Sequence, residues 1–240
     1  MKVFFLIPLY NESLNIPELA ANLLSVMPDS RKCFVFVDDK STDDTISLLE
    51  KHFEGTDCHI ITKEQNAGPG DSFNRGFQWV LDQQPDDSDV VVTLEGDNTS
   101  DLTILPHMTT ISSFGYDLVL ASVYAQGGGF EKTNFFRKLI SFFANMLFRM
   151  FFNIKVLTLS SFYRVYHVGL LKRIKEKYPS LIREKGFICM LEILIKAIKV
   201  NARIIEVPMV LHSSKRKGKS KMKVLKNTMS YLRFLFFVKH

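Results

Sequence analysis

The sequence has little cysteine, no apolar run long enough for a membrane span and no internal repeat. Its three cysteines, Cys33, Cys58 and Cys189, are odd in number and far apart. There is no CxxC and no Cys/His spacing, and His107, His167 and His212 are scattered, which argues against a zinc module. Free buried thiols in a reducing compartment are expected instead. The longest uncharged run within the aromatic stretch Phe135–Phe152, Leu139–Phe148, has ten residues, whereas a helix needs about 20 to cross a bilayer. The opening MKVFFLIPLY carries one charge and a short apolar run. Polar residues follow Pro8 and no small-residue cleavage site appears, so a buried first strand is expected rather than a signal peptide. No collagen, coiled-coil or solenoid period is present.

What is there is an ordinary folding composition with an unusual distribution of charge. Hydrophobic residues make up 46% and charged residues 23% of 240 positions, enough for a sizeable core. Residues 1–130 hold 7 Lys+Arg against 20 Asp+Glu, and residues 131–240 hold 24 against 5, for a net charge of +6. An acidic half suits a metal ion; a basic half suits phosphates, anionic lipid or nucleic acid. The nucleic-acid option has no recognisable module behind it, because the basic tail lacks the aromatic interleaving of a base-stacking platform.

The first half alternates strand and helix signals. Val3–Pro8 is a buried-strand run, followed by the loop YNES and helical spacing over Ile16–Met27, with Pro17 in the tolerated first turn. Cys33–Val37 is a second strand ending in Asp38-Asp39, then a helix over Thr45–Phe53. His59–Thr62 is a third strand, Gly68-Pro69-Gly70 a loop, and Phe73–Leu81 a third helix. Val90–Leu94 is a fourth strand ending in Glu95-Gly96-Asp97. Such alternation predicts an α/β fold with a mostly parallel sheet that binds ligands at the carboxyl ends of its strands, so both acid clusters can share one crevice.

The second half adds a strand at Leu118–Tyr124, a flexible loop at Gly127-Gly128-Gly129, a helix over Phe187–Lys199 and a strand over Ile204–Leu211. The aromatic stretch from Phe135 to Phe152, studded with Arg137, Lys138 and Arg149, is expected as an amphipathic helix on a membrane or on the core. The tail SSKRKGKSKMK and the aromatic segment after it suit an anionic membrane face. A main domain over residues 1–212 and a basic tail over residues 213–240 are expected.

Three motifs carry the chemistry: IPLYNE, VDDKSTDDT and LEGDN, each directly after an apolar strand. With the NAGPG loop, FFRKLISFFAN, FYRVYH, GFICMLEIL, EVP and GKSK, the chain resembles the family 2 glycosyltransferases of the GT-A fold, a Rossmann-like sheet flanked by helices with amphipathic interface helices toward the C-terminus. Within them it is most similar to the dolichol- or polyprenyl-phosphate hexose (mannose) synthases. The resemblance implies that Pro8, Tyr10, Asn11 and Glu12 line a nucleotide pocket and that Asp38 and Asp39 contact base and ribose. It implies that Gly68 and Gly70 let the backbone approach the nucleotide-sugar, and that Asp97, helped by Glu95, holds Mg²⁺ or Mn²⁺. Arg137, Ser141, Arg164, Ser220 and Lys221 are implied to meet phosphate oxygens of acceptor or donor, and Glu192 matches an acid of the acceptor-side helix. Asp97, Glu95 and Arg137 are thereby the implied catalytic residues.

This sequence also departs from the pattern. Glu95 stands where the family has aspartate, Val123 where it has arginine, Lys40 where it has glycine, and Thr158–Ser161 replace an acid-x-Thr-Gly. The resemblance implies an inverting, metal-dependent hexosyltransferase. Its donor would be a GDP- or UDP-hexose and its acceptor a lipid phosphate. It would sit peripherally at the cytoplasmic face of a membrane, with room for a membrane partner subunit. The alternatives are a saccharide or other hydroxyl acceptor, or a catalytically impaired relative that only binds nucleotide-sugar.

Overall fold

A computed structural model describes residues 1–131, 149–150 and 154–218 of the chain. The expected amphipathic helix over 135–152 falls almost wholly outside the described residues, as do Arg137, Ser141, Ser220 and Lys221.

A seven-stranded sheet forms the centre, in the order β3-β2-β1-β4-β7-β5-β8. Its strands are β1 (Lys2–Leu9), β2 (Arg31–Asp38), β3 (Cys58–Thr62), β4 (Val90–Thr93), β5 (Leu118–Ser122), β7 (Arg164–His167) and β8 (Ile204–Pro208). All neighbours pair parallel except β7, which lies antiparallel between β4 and β5. A small second sheet pairs β6 (Gly129–Phe130) with β9 (Val210–Leu211). The Gly127–Gly129 segment therefore ends in a strand, and the run expected over Ile204–Leu211 is broken at Met209 into two strands that serve different sheets.

The period-2 alternation of β1 explains the layering. Phe4 and Leu6 face one side, with Phe73 and Phe77 of helix α3 (Pro69–Asp82), Leu170 and Leu171 of α5 (Val168–Lys177), and Leu191 and Leu194 of α6 (Cys189–Lys199). Val3, Phe5 and Ile7 face the other, with Leu19 and Leu23 of α1 (Ile16–Ser25), Leu49 of α2 (Thr45–His52), and Leu105 and Met108 of α4 (Leu105–Ser113). Because both faces are covered, the central strands read as unbroken apolar runs. Among the described residues, no helix is long and apolar enough to cross a membrane.

The cysteines are free; Cys33 and Cys189 are buried and Cys58 is half-buried. Burial, then the charge of Asp57, pushes the Cys33 thiol up to about 12, and the same two causes push Cys58 up to about 11. Burial also raises Cys189. All three protons are thus held in the folded state to a higher pH than in the unfolded chain, whose thiols titrate near about 8.5. The contribution of these thiols to stability is complete below that value and is lost as pH rises toward the folded values. Folded protein at pH 8 is expected to show no rapidly reacting thiol toward Ellman's reagent, and all three after unfolding.

Candidate active site

Three acid-bearing loops leave the carboxyl ends of β1, β2 and β4, which are neighbours in the sheet. The loop after β1 is zipped to the loop after β2. The Asn11 amide donates to Ser41 Oγ at 2.8 Å, Thr42 N–H to Asn11 Oδ1 at 2.7 Å, and Glu12 N–H to Thr45 Oγ1 at 2.8 Å. Asn11 takes a left-handed backbone, φ 52°, which asparagine tolerates better than most residues. Lys40 has φ 66°, which explains why glycine is favoured at this place in the family pattern and marks a strained site for a lysine side chain.

Asp38 and Asp39 have different surroundings. Asp38 is buried; its Oδ2 accepts the Ser41 N–H at 2.9 Å. Its Oδ1 has no hydrogen-bond partner among the described residues, an acceptor that a ligand donor can satisfy. Asp39 is already consumed by protein. Its carboxylate accepts Ala67 N–H and Gly68 N–H, both at 2.8 Å, and pairs with Lys63 Nζ at 2.7 Å. Lys63 is itself buried and reaches Asp71 at 2.8 Å and Ser72 Oγ at 3.1 Å. Nothing in the pattern around Lys63 announces this, because its partners lie 24 positions before it and 8 after it.

Asp39 and Lys63 thereby fix the NAGPG loop from one side, and the segment 183–185 fixes it from the other. Gly70 N–H donates to Lys185 O at 2.8 Å. A Cβ on Gly70 would stand 1.8 Å from Glu184 O, and one on Gly68, whose φ is +90°, 2.6 Å from Lys185 O. These are main-chain atoms that cannot swing away, so both glycines are required by close approach of backbone to backbone. Gly70→Ala is expected to destabilise by about 1–3 kcal/mol and to weaken nucleotide binding. Gly186→Ala, where a Cβ meets nothing within 4 Å, is the control. Urea unfolding of both variants checks it.

Glu192 holds segment 183–185 in place. Its carboxylate accepts Arg183 N–H at 2.9 and 3.1 Å and Glu184 N–H at 2.8 Å, and it pairs with Lys196 Nζ at 2.6 Å. Both oxygens face protein donors in the core, so in this structure Glu192 supports the loop.

The loop after β4 splits its acids too. Glu95 turns inward: Oε2 accepts Ser100 Oγ–H at 2.8 Å and Oε1 the Phe162 N–H at 3.4 Å. Burial, and then the negative charge of Asp97, raises its carboxyl above the usual range. Asp97 turns outward. Its Oδ1 is fixed by Thr99 N–H at 3.2 Å and Thr99 Oγ1 at 2.6 Å. Its Oδ2 receives Arg216 Nε at 2.6 Å and a second contact from Arg216 Nη2. A cation thus already stands on the outward carboxylate oxygen, which is the donor chemistry a hard divalent ion requires.

Arg164 is not where a phosphate ligand would be. It is fully buried on the antiparallel strand β7. Its guanidinium donates to Leu159 O at 2.7 Å, Met190 O at 2.8 Å and Ser161 O at 2.8 Å, and reaches Tyr166 Oη at 3.3 Å. The expectation of a phosphate contact is corrected: Arg164 satisfies main-chain carbonyls and ties the 159–161 segment to α6. The two residues just before that segment are fastened by Glu206, which accepts Leu157 N–H at 2.7 Å and Thr158 N–H at 2.8 Å, and by the Ser122–Thr158 hydroxyl pair at 2.6 Å.

Known proteins with this arrangement share its architecture. Glucosyl-3-phosphoglycerate synthase of Mycobacterium tuberculosis, in complex with Mn²⁺, UDP-glucose and glycerol 3-phosphate, superposes with a TM-score of 0.68 at 15% identity, over 100% of this chain and 81% of that one. S. aureus TarS 1–349 in complex with UDP-GlcNAc gives 0.61 at 23% identity, over 98% and 65%. In sequence, the undecaprenyl-phosphate mannosyltransferase of Micrococcus luteus is 26% identical over 223 residues, covering 92% of this chain and 88% of that protein. The dolichol-phosphate mannosyltransferase of Pyrococcus furiosus is 29% identical over 240 residues, covering 98% of this chain and 63% of that protein. Residues 4–175 match the family model for glycosyl transferase family 2, and the chain belongs to that family.

Proposed function

We propose that the chain moves a hexose from a nucleoside-diphosphate sugar to a polyprenyl phosphate, with inversion at the anomeric carbon. The observation that carries this reading is the convergence of the β1, β2 and β4 loops, with Asp97 Oδ2 facing outward and already holding a cation. Asp38 Oδ1 is the acceptor for a base or ribose donor. Pro8, Tyr10, Asn11 and Glu12 form the neighbouring wall, and Gly68 and Gly70 act indirectly, by letting the NAGPG loop seat against the carbonyls of Lys185 and Glu184. Asp39 acts through the loop it pins. Asp97 is the ligand for Mg²⁺ or Mn²⁺, and Glu95 supports its loop from within. A divalent ion bound there supplies charge neutralisation for the departing diphosphate, the kind of electrostatic term that often dominates catalysis. Arg137, Ser141, Ser220 and Lys221 are proposed to orient phosphate oxygens.

A phosphate acceptor fits the way the described acids beside the site are engaged. A hydroxyl acceptor needs a general base. Among the described residues beside the site, Glu192 and Glu206 are committed to main-chain N–H groups, and Glu192 to Lys196 as well. A phosphate monoester, with a second pKa near about 6, is already anionic at neutral pH and needs none. The undecaprenyl- and dolichol-phosphate mannosyltransferases among the relatives support the same choice and a mannose-like donor. A peripheral position at the cytoplasmic face of a membrane, alone or with a membrane partner subunit, fits such an acceptor and the basic second half of the chain.

Incubation with labelled GDP-mannose or UDP-hexoses and undecaprenyl phosphate in detergent is expected to give a labelled lipid with one donor, dependent on Mg²⁺ or Mn²⁺. Label appearing only on added saccharide would replace the acceptor assignment. Calorimetric binding of the donor with no turnover on any acceptor would favour a binding-only relative.

A further inference from the structure

Arg216 lies in a lysine-rich run where a solvated side chain is the ordinary expectation, yet it is clamped on Asp97. It approaches one carboxylate oxygen with two guanidinium nitrogens, Nε at 2.6 Å and Nη2 as well. The pair is largely shielded, with side-chain exposures of 25% and 13%. The segment that carries Arg216 is fastened on both sides of it. His212 N–H donates to Thr99 O at 3.0 Å, and Ser214 Oγ–H to Glu131 Oε2 at 2.6 Å. Lys217 makes a reciprocal pair with Asn15: its N–H donates to Asn15 Oδ1 at 2.9 Å and its carbonyl accepts Asn15 Nδ2–H at 3.0 Å. Lys217 Nζ also reaches Glu18 at 3.2 Å. These contacts place the strap 212–217 directly beside the outward oxygen of Asp97.

One carboxylate oxygen cannot serve a two-point guanidinium and a divalent ion together. The guanidinium uses the lone pairs that the ion would coordinate, and two cations at one oxygen repel. The other oxygen offers no substitute, since Thr99 occupies it twice. Resting on the glycosyltransferase reading of this site, we propose that Arg216 is a resident cation that a divalent ion must displace from Asp97. In this scheme Arg216 is a positioning residue that makes metal capture depend on the nucleoside diphosphate.

The thermodynamics follow directly. Metal alone breaks the Arg216–Asp97 pair and leaves the guanidinium without a partner, so its apparent affinity is reduced by the fraction of molecules in which Asp97 is open. Metal arriving with a diphosphate exchanges partners: Asp97 takes the ion, and Arg216 has phosphate oxygens to face. Metal and nucleotide therefore bind with positive coupling, and the coupling is reciprocal. The strap residues are released from Asp97 in the same event.

Mn²⁺ binding followed by electron paramagnetic resonance tests this without turnover. Wild type is expected to bind Mn²⁺ weakly alone and at least about tenfold more tightly with UDP or GDP. Arg216→Ala is expected to bind Mn²⁺ alone about tenfold more tightly than wild type, with the nucleotide enhancement largely gone, and Arg216→Lys to lie between. Tryptic cleavage after Lys215, Arg216 or Lys217 in wild type is expected to speed up when Mn²⁺ and the nucleoside diphosphate are both present. Mn²⁺ binding that is lost in Asp97→Asn but equal in wild type and Arg216→Ala overturns the role of Arg216 and leaves the metal site standing. Binding unaffected by Asp97→Asn, or absent from Arg216→Ala, overturns both.

Discussion

Asp97→Asn is expected to lower transfer by about 10²–10³-fold, the scale on which removing a principal electrostatic group from an active site acts. The geometry explains why an isosteric change does so much. Oδ1 of Asp97 is already taken by Thr99 N–H and Thr99 Oγ1, so an asparagine must present its amide nitrogen outward to keep those bonds. That nitrogen cannot coordinate a cation and meets the Arg216 guanidinium donor to donor. The fold should survive, because Asp97 is the half-buried outer member of its loop and Thr99 remains capped. Glu95→Gln serves as the contrast. Its side chain faces Ser100 and the Phe162 N–H, both of which a glutamine can still engage, so a far smaller loss is expected. Sugar release from labelled donor, transfer to lipid phosphate and Mn²⁺ binding together check the pair. Near-normal turnover in Asp97→Asn would remove Asp97 from the chemistry.

The contrast between Glu95 and Asp97 also shows how much of the site was legible in the sequence. Acid residues directly after apolar strands place β1, β2 and β4 and their loops correctly, because a buried parallel strand is a continuous apolar run and its end is abrupt. Which acid faces the ligand was not legible. Asp38 and Asp39 are adjacent and alike on paper, but Asp39 meets Ala67, Gly68 and Lys63, and Asp38 keeps one oxygen without a partner among the described residues. Those partners lie 24 to 29 residues further along the chain. The antiparallel strand β7 was missed because it is four residues long and carries an arginine, a residue rarely fully buried. Arg164 can be there only because carbonyls of the 159–161 segment and of α6 converge on it, which no local pattern announces. Helices α4 and α5 were missed for different reasons. α4 separates its apolar and polar positions poorly, and α5 is rich in lysine and follows β7 directly, with no loop to mark its start. Arg216 was hidden among lysines, where composition alone predicts a solvated tail.

Lys63→Met is expected to cost about 3–5 kcal/mol of stability, the range for removing one partner from a buried ion pair. For a chain of this size that corresponds to a fall in melting temperature of roughly 6–20 °C. Lys63 has a side-chain exposure of 1% and stands between Asp39, at 7%, and Asp71, at 26%. Methionine fills nearly the same volume, so the effect comes from charge rather than from a cavity. It leaves the Asp39 carboxylate without its cation in a protein-lined site, with only the Ala67 and Gly68 amides to hold it. Because those amides belong to the NAGPG loop, the strain passes to Gly68 and Gly70, which are pressed against the carbonyls of Lys185 and Glu184. Nucleotide binding should therefore weaken together with stability. In the double variant with Asp39→Asn, the stranded charge is gone, and the two substitutions should be non-additive by at least about 1 kcal/mol. The amide still cannot accept from both Ala67 and Gly68, so the double variant should recover stability more than nucleotide affinity. Urea unfolding of the four proteins in the cycle measures the first quantity and calorimetric titration with a nucleoside diphosphate the second. A loss below 1 kcal/mol in Lys63→Met would mean that the loop, and not the ammonium, neutralises Asp39. The chain of contacts from α6 through Glu192 to the NAGPG loop would then carry the site alone.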